Sequence, residues 1–292
     1  MTRVIAVGVD GSAESLAAAD WAAREAALRD VSLRIVHAWL WQTLGVPVTQ
    51  DEGEQAKAAD GILREAVTRV AGRHPDLAVD SELVHDTAVA ALSGAAEGAE
   101  GAEGAEMLVL GSRGHGALVG FLLGSVGQQV IAEAACPVVS VRAGVGSAEG
   151  DVVVGQHGDA ADSEAILRFA FEAAAVRGAA VRAVRAWNLP PLYAYTPDTM
   201  RLADEAGGLE PYEKKALSQA LAPWRERFPD VPVTEHVEIG SAGQVLLAAA
   251  ADAQLLVVGR RAHRSPIGTR IGSVAHAALH HAPCPVAVVP HA

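Results

Sequence analysis

The stretch "MLVLGSRGHGALVGFLLGSVGQQVIAEAA", Met107 to Ala135, opens with a short apolar run and closes on the helix-like "QQVIAEAA". Between them, Gly111 to Gly127 holds six glycines in seventeen residues. Such density is costly in backbone entropy, and a chain tolerates it where it turns sharply or lets something approach its backbone closely. An apolar strand that empties into a glycine-rich loop and then a helix is a piece of an α/β protein.

The same phrases occur a second time. "LVLGSRG" at Leu108 is echoed by "LVVGRRA" at Leu256, "IVHAWLW" at Ile35 by "AVRAWNL" at Ala183, and "LLGSVGQQVIAEAACPV" at Leu122 by "TRIGSVAHAALHHAPCPV" at Thr269. The chain therefore reads as a tandem duplication, with domains at 1–142 and 151–292 and a Gly/Ala/Ser linker at 143–150. The second copy carries extra residues within "NLPPLYAYTPDTMRLADEAGG", and the first regains them in the low-complexity "AEGAEGAEGAE" before Met107. Glycine at every third residue weakens a helix by ~1 kcal/mol each, so this run is expected at a helix end or in a loop, without a function of its own.

Continuous apolar strands such as "VIAVGV" and "MLVL" alternate with helical stretches in each copy, which indicates a parallel sheet covered on both faces. The first copy predicts strands at Val4–Val9, Ser32–Ala38, Ala78–Val84, Met107–Leu110 and Pro137–Arg142. Helices are expected at Ser15–Arg29, Gln55–Gly72, Ala88–Glu97 and Ser125–Ala134. Each copy should be a five-stranded, doubly wound, Rossmann-like domain.

A chain of 292 residues, half of them apolar and 4% aromatic, can bury a large core of small helical residues on Val-rich strands. The net charge of −12, without a Lys/Arg cluster, argues against nucleic acid as a partner. "MTRVIAVGVDGS" becomes a strand at once and no 18-residue apolar run occurs, so a cytoplasmic protein with no membrane partner is expected. Cys136 and Cys284 stand in matching phrases, "AACPVVSV" and "HAPCPVAVV", and read as small buried residues rather than a disulfide or metal framework.

In open α/β sheets ligands sit beyond the carboxyl ends of the strands, where strand order reverses. "VGVDGS" at the end of strand one and the glycine stretch after strand four should meet there. Gly111 and Gly114 would let the chain turn, while Gly124 and Ser125 open a helix whose free N–H groups and dipole attract an anion. Ser125 is expected to cap that helix and to reach a phosphate oxygen.

The pattern G-x2-G-x9-G-[ST] after the fourth strand, with "VGVDGS" near the start and "CPV" opening the last strand of both copies, resembles the ATP-binding class of the universal stress protein family. The resemblance covers essentially the whole chain and implies two tandem domains of the adenine nucleotide alpha hydrolase-like kind. It implies that Asp10, reached through Gly8 and Val9, lies beside the adenosine, and that the backbone of Ala38 meets the adenine edge. Gly111, Gly114, Gly124, Ser125 and Val126 would hold ribose and phosphates, with Mg2+ accompanying ATP through phosphate and water. It further implies an ATP-dependent regulatory module in the stress response, pairing of the two last strands within one chain, and a homodimer as an open expectation.

The second copy departs from the pattern. His157 takes the place of Asp10 and Ala262 that of Gly114, while Gly259, Gly272, Ser273 and Val274 keep the matching positions. A β-carbon at a left-handed position costs ~1–2 kcal/mol and imidazole cannot replace a carboxylate acceptor, so this site should bind weakly or not at all. The competing expectation is that Arg260, Arg261, His263 and Arg264 supply enough charge to hold phosphates.

Other chemistries fit less well. A Walker loop needs G-x4-G-K-[ST] and no lysine stands near Gly124, so little or no hydrolysis is expected and no catalytic residue is named. "GHGALVG" follows strand four and lacks dinucleotide spacing. His276, His280 and His281 could touch a metal, yet no carboxylate supports them, and a partly exposed helix face is the better reading. Asp10 could simply cap the coming turn or helix. Trp21, Trp39 and Trp187 fall on repeated apolar positions and read as core. A slow ATPase and a dimerisation scaffold remain the alternatives, and the last strands, "PVVSVR" and "PVAVVP", should lie at sheet edges.

Overall fold

Val4–Gly8 (β1) is buried at its first four residues, and a strand that hides every side chain must be covered on both faces. The computed structural model describes residues 3–40, 52–98, 104–112, 124–144, 149–188, 209–261 and 271–291. The chain divides into two units, Met1–Val145 and Gly146–Ala292.

The first unit runs β1, α1 (Ala13–Arg29), β2 (Ser32–Ala38), α2 (Glu52–Arg73), β3 (Val79–Val84), α3 (Ala88–Glu97), β4 (Met107–Gly111), α4 (Ser125–Glu133) and β5 (Val138–Val141). Its strands are parallel in the order β3-β2-β1-β4-β5. Helices α1 and α2 touch each other, as do α3 and α4, so the sheet is doubly wound. Chain order reverses between β1 and β4, which opens a crevice at their carboxyl ends.

Local chemistry explains the ends of these elements. Ser12 is the N-cap of α1, with φ −71° and ψ 157°, and its Oγ accepts from the Ser15 N–H at 3.2 Å. The helix therefore starts two residues before the expected Ser15, because the serine before the alanine run already satisfies a first-turn donor. Its buried face, Ala18, Ala19, Ala22, Ala23 and Ala26, has no bulk to hold the helix away from the sheet. Trp21 is buried beside them, whereas Trp39 and Trp187 are half-buried at strand ends, with the Trp39 ring 4.8 Å from that of His85. The helix ends on Asp30 in the left-handed region, φ 53°.

The second unit repeats the plan: β6 (Val152–Gly155), α5 (Glu164–Arg177), β7 (Val181–Trp187), α6 (Glu210–Arg227), β8 (Val233–Ile239), α7 (Ala242–Ala249), β9 (Leu255–Arg261), α8 (Ser273–His281) and β10 (Val286–His291). Its strands are parallel in the order β10-β9-β6-β7-β8. Here aromatics do what alanines do in the first unit. Phe171 on α5 is fully buried 5.9 Å from Trp224 on α6 and 5.8 Å from Phe228. Both units are thus five-stranded α/β folds of the expected kind, each with its last strand at one end of the unit's own strand order.

Candidate functional site

The crevice of the first unit is built from the exit of β1. Val9 donates its N–H to the Val36 carbonyl at 2.9 Å, and the buried His37 donates from Nδ1 to the Val9 carbonyl at 2.7 Å. These bonds tie the end of β1 to β2. The exposed Asp10 follows, with its N–H donating to Ser15 Oγ at 3.2 Å. Its Oδ1 accepts from the Ser12 N–H at 3.0 Å and from Ser12 Oγ at 2.5 Å. Gly11 makes the turn with φ +79°, a conformation L side chains rarely adopt. Asp10 therefore does cap the turn, and its carboxylate stands exposed at the carboxyl end of β1.

Gly111 brings β4 to this loop. A β-carbon there would lie 2.6 Å from the carbonyl carbon of Glu14 and 2.7 Å from the nitrogen of Ser15, so only glycine lets β4 pass under the first turn of α1. Its φ is not positive, so the residue serves close approach rather than the sharp turn expected of it. Ser112 then returns its N–H to the Val141 carbonyl at 2.8 Å.

The helix after the glycine stretch begins on Gly124, which occupies the N-cap with φ −60°, ψ 158° and no side-chain capping bond. Ser125 lies inside the helix, and so does not act as the cap the sequence suggested. Both Ser125 and Val126 are exposed. The first-turn N–H groups of α4 thus present partial positive charge without a side-chain cap to neutralise it.

The second unit repeats this backbone with other side chains. Gly158 turns with φ +73° as Gly11 does, and Gly272 caps α8 with φ −60° and ψ 159°, as Gly124 caps α4. At the exit of β6, however, Val9 is replaced by Gln156, His37 by Arg185 and, on the covering helix, Ala59 by Glu213. The Arg185 guanidinium donates from Nη1 to Gln156 Oε1 at 2.5 Å and to the Gly158 carbonyl at 2.9 Å, and from Nε to Glu213 Oε2 at 2.5 Å. The space beside Gly259, filled by α1 backbone at Gly111, here meets the Ile166 side chain and the His291 ring.

Against this geometry, the model of the universal stress protein family matches residues 1–142 and again 151–290. The chain belongs to the universal stress protein family, in its tandem two-domain form. It is 37% identical over 305 residues to a universal stress protein of Mycobacterium tuberculosis, covering 97% of this chain and 96% of that one. It is 33% identical over 299 residues to one from Mycolicibacterium smegmatis, covering 98% and 96%. The crystal structure of a universal stress protein from Archaeoglobus fulgidus superposes with a TM-score of 0.71 over 99% of this chain and 98% of that one, at 17% identity, a likeness of fold.

Within this universal stress protein, Gly8, Val9, Asp10, Ala38 and Gly111 gather at the strand ends of the first unit, and Gly124, Ser125 and Val126 open α4. Gly8 faces α3, where a β-carbon would strike Leu92 at 2.8 Å. Gly114, Ala262, His263 and Arg264 lie outside the described residues. In the second unit Gly259 is in β9, while Gly272, Ser273 and Val274 open α8. Arg260 is buried, and burial pushes its guanidinium pKa down, whereas Arg261 is exposed.

His276 and His280 approach with ring centroids 4.2 Å apart, and His276 is held below the usual imidazole range by burial and by its two histidine neighbours. Among the described residues no group of three or more His, Cys, Asp or Glu is placed to hold a metal, and no helix is long and apolar enough to cross a membrane. The trio Gln156, Arg185 and Glu213 escaped the sequence reading. Its one visible signal is the arginine in "AVRAW" where the first copy has the histidine of "IVHAW".

Proposed function

We propose that the first unit binds one adenine nucleotide, ATP with Mg2+, in the crevice between the β1–α1 loop and the start of α4. The nucleotide acts there as a regulatory ligand in the stress response, with little or no hydrolysis. The observation that carries this reading is the close approach at Gly111, which sets the Asp10 loop beside the exit of β4. Two complementary features follow from it. The exposed Asp10 carboxylate can accept hydrogen bonds from a ribose, and the uncapped first turn of α4 suits an anionic phosphate. Mg2+ suits a site of this kind, since it is held largely by phosphate oxygens and water. The backbone of Ala38, at the last position of β2, is offered to the adenine edge.

The second unit lacks the carboxylate and fills the equivalent strand ends with its own charged side chains. We read it as the degenerate half.

The test is to extract and quantify adenine nucleotide from the purified chain, then titrate Mg-ATP into the stripped protein and into Asp10→Asn. The asparagine keeps Oδ1 for the Ser12 bonds, removes the charge and turns the second acceptor oxygen into an NH2 donor. One nucleotide per wild-type chain, with affinity lowered about tenfold or more in Asp10→Asn, is the expected result. Absence of nucleotide on extraction and of binding on titration would sink the reading. Phosphate release at a rate lost in Asp10→Asn would turn it into an ATPase.

A further inference from the structure

The most consequential difference between the two units is a triple exchange at one place. Val9, His37 and Ala59 are buried at the first unit's strand ends and beneath α2. Gln156, Arg185 and Glu213 stand at the corresponding positions of the second unit, on the exit of β6, on β7 and on α6. The exchanged side chains are mutually bonded. Arg185 joins Glu213 to Gln156 and to the Gly158 carbonyl, and Gln156 Nε2 donates onward to the Gly158 carbonyl at 3.2 Å and to Ser163 Oγ at 3.1 Å. Ser163, fully buried, closes the chain by donating to the His157 carbonyl at 2.8 Å.

We infer that Arg185, with Gln156 and Glu213, is a built-in occupant of the second unit's crevice: it holds the β6–α5 loop in place from within and bars a nucleotide from that unit. The inference deepens the nucleotide reading of the first unit and rests on it for the identity of the excluded ligand. The two loops are held by different means. In the first unit, hydroxyls and Asp10 fasten the loop to itself, through Ser12 and Ser15, the buried His37 of β2 holds only the Val9 carbonyl at the start of the loop, and the side chains facing inward from β1 and α2 are the apolar Val9 and Ala59. In the second, the Gly158 carbonyl is fastened inward to Arg185 of β7 and to Gln156, while the His157 carbonyl accepts from Ser163, the N-cap of α5. A ligand entering there must break a charge-assisted network and leave a largely buried guanidinium, 14% exposed, and a carboxylate, 18% exposed, without partners. Separating a buried pair in this way is strongly unfavourable.

The triple variant Gln156→Val/Arg185→His/Glu213→Ala, in the full chain, gives the second unit the first unit's residues at these three positions. It and the wild type are each also made with His157→Asp and Ala262→Gly, the two pattern residues the second copy lacks. Amide hydrogen exchange is followed at 10–15 and at 156, 162 and 164, whose N–H groups donate to the Val184 carbonyl, to Asp159 Oδ1 and to the Ala161 carbonyl, with and without Mg-ATP, and bound nucleotide is counted. In the wild type, with or without those two changes, the amides at 156, 162 and 164 are expected to ignore Mg-ATP, while 10–15 gains protection. In the triple variant the same amides should exchange about tenfold faster without ligand, and with His157→Asp and Ala262→Gly added they should respond to Mg-ATP as nucleotide rises from one to two per chain.

Protection of 156, 162 and 164 by Mg-ATP in the wild type overturns the inference. So does a triple variant whose exchange there is unchanged, or one that with His157→Asp and Ala262→Gly added still holds a single nucleotide. Failure of the nucleotide reading looks different: 10–15 ignores Mg-ATP in every variant, and the change of exchange at 156, 162 and 164 alone then decides whether the network fastens the loop. Should the triple variant not fold, Glu213→Gln, which removes one charge and keeps the shape, carries the same exchange comparison.

Discussion

A β-carbon on Gly111 would stand 2.7 Å from the carbonyl oxygen of Glu14, backbone against backbone, so β4 and the first turn of α1 are locked at glycine distance. Neither partner can move aside as a flexible side chain would. Gly111→Ala is therefore expected to destabilise the first unit by about 2–3 kcal/mol through overpacking. It should also weaken nucleotide binding, because it pushes the Asp10 loop away from the exit of β4. Urea unfolding and Mg-ATP titration of the same variant check both; a variant as stable as wild type would mean that the approach is looser than described.

Asp30 makes the opposite case. It terminates α1 with φ 53° and donates its N–H to the carbonyls of Ala26 and Ala27, while the matching residue of the second unit, Gly178, does the same for α5 with φ 61°. A side chain at a left-handed position is strained and glycine is not, even though aspartate tolerates it better than most residues. Asp30→Gly should raise stability by about 0.5–1 kcal/mol, seen as a higher melting temperature. Asp30→Val should lower it.

The clasp between α1 and α2 has a pH signature. Arg69 donates to both carboxylate oxygens of Asp20, from Nε at 3.0 Å to Oδ1 and from Nη2 at 2.7 Å to Oδ2, and Arg73 pairs with the same Oδ2. Burial pushes the Asp20 carboxyl up, and the two guanidinium groups outweigh it, leaving the pKa below the ordinary 3.8. A carboxyl with a depressed folded-state pKa stabilises above its unfolded value, and that contribution fades as pH falls through the folded pKa. Asp20→Asn should therefore cost about 1 kcal/mol at neutral pH, the arginines being substantially exposed, and nothing in acid well below 3.8. Stability against pH, measured for both proteins, should converge on the acid side; parallel curves would refute the ionic account.

What the sequence made legible was what depends on local pattern and repetition. Runs such as "VIAVG" and "MLVLG" were strands, and the recurrence of "CPV" marked the last strand of each copy. Less legible was whatever depends on two distant segments meeting. Gly111 reads as a turn residue because its neighbour, the backbone of Glu14, is nearly a hundred residues away in the chain. Ser125 reads as a cap because serine usually is one, yet the chain enters α4 with Gly124 in that place. The network around Arg185 joins three elements, and no single element shows that a glutamine, an arginine and a glutamate will face one another.

Cys136 offers a probe of how each unit opens. It lies between α4 and β5, 9% exposed, and burial pushes its thiol up to about 11 from 9.0. Since the thiolate is the nucleophile, this lowers the reactive fraction about a hundredfold near neutral pH, before steric shielding is counted. Cys284 sits at the matching place between α8 and β10, 3% exposed. Both should label with a small thiol reagent only as fast as their unit opens, and rapidly once urea unfolds it. Cys284 is the more deeply buried and Mg-ATP stabilises the first unit alone, so at intermediate urea Cys136 should label first, and Mg-ATP should slow Cys136 while leaving Cys284 unchanged. Mass spectrometry of the labelled peptides separates the two sites. Fast labelling of native Cys136 would contradict its burial, and equal slowing of both thiols by Mg-ATP would place nucleotide in the second unit as well.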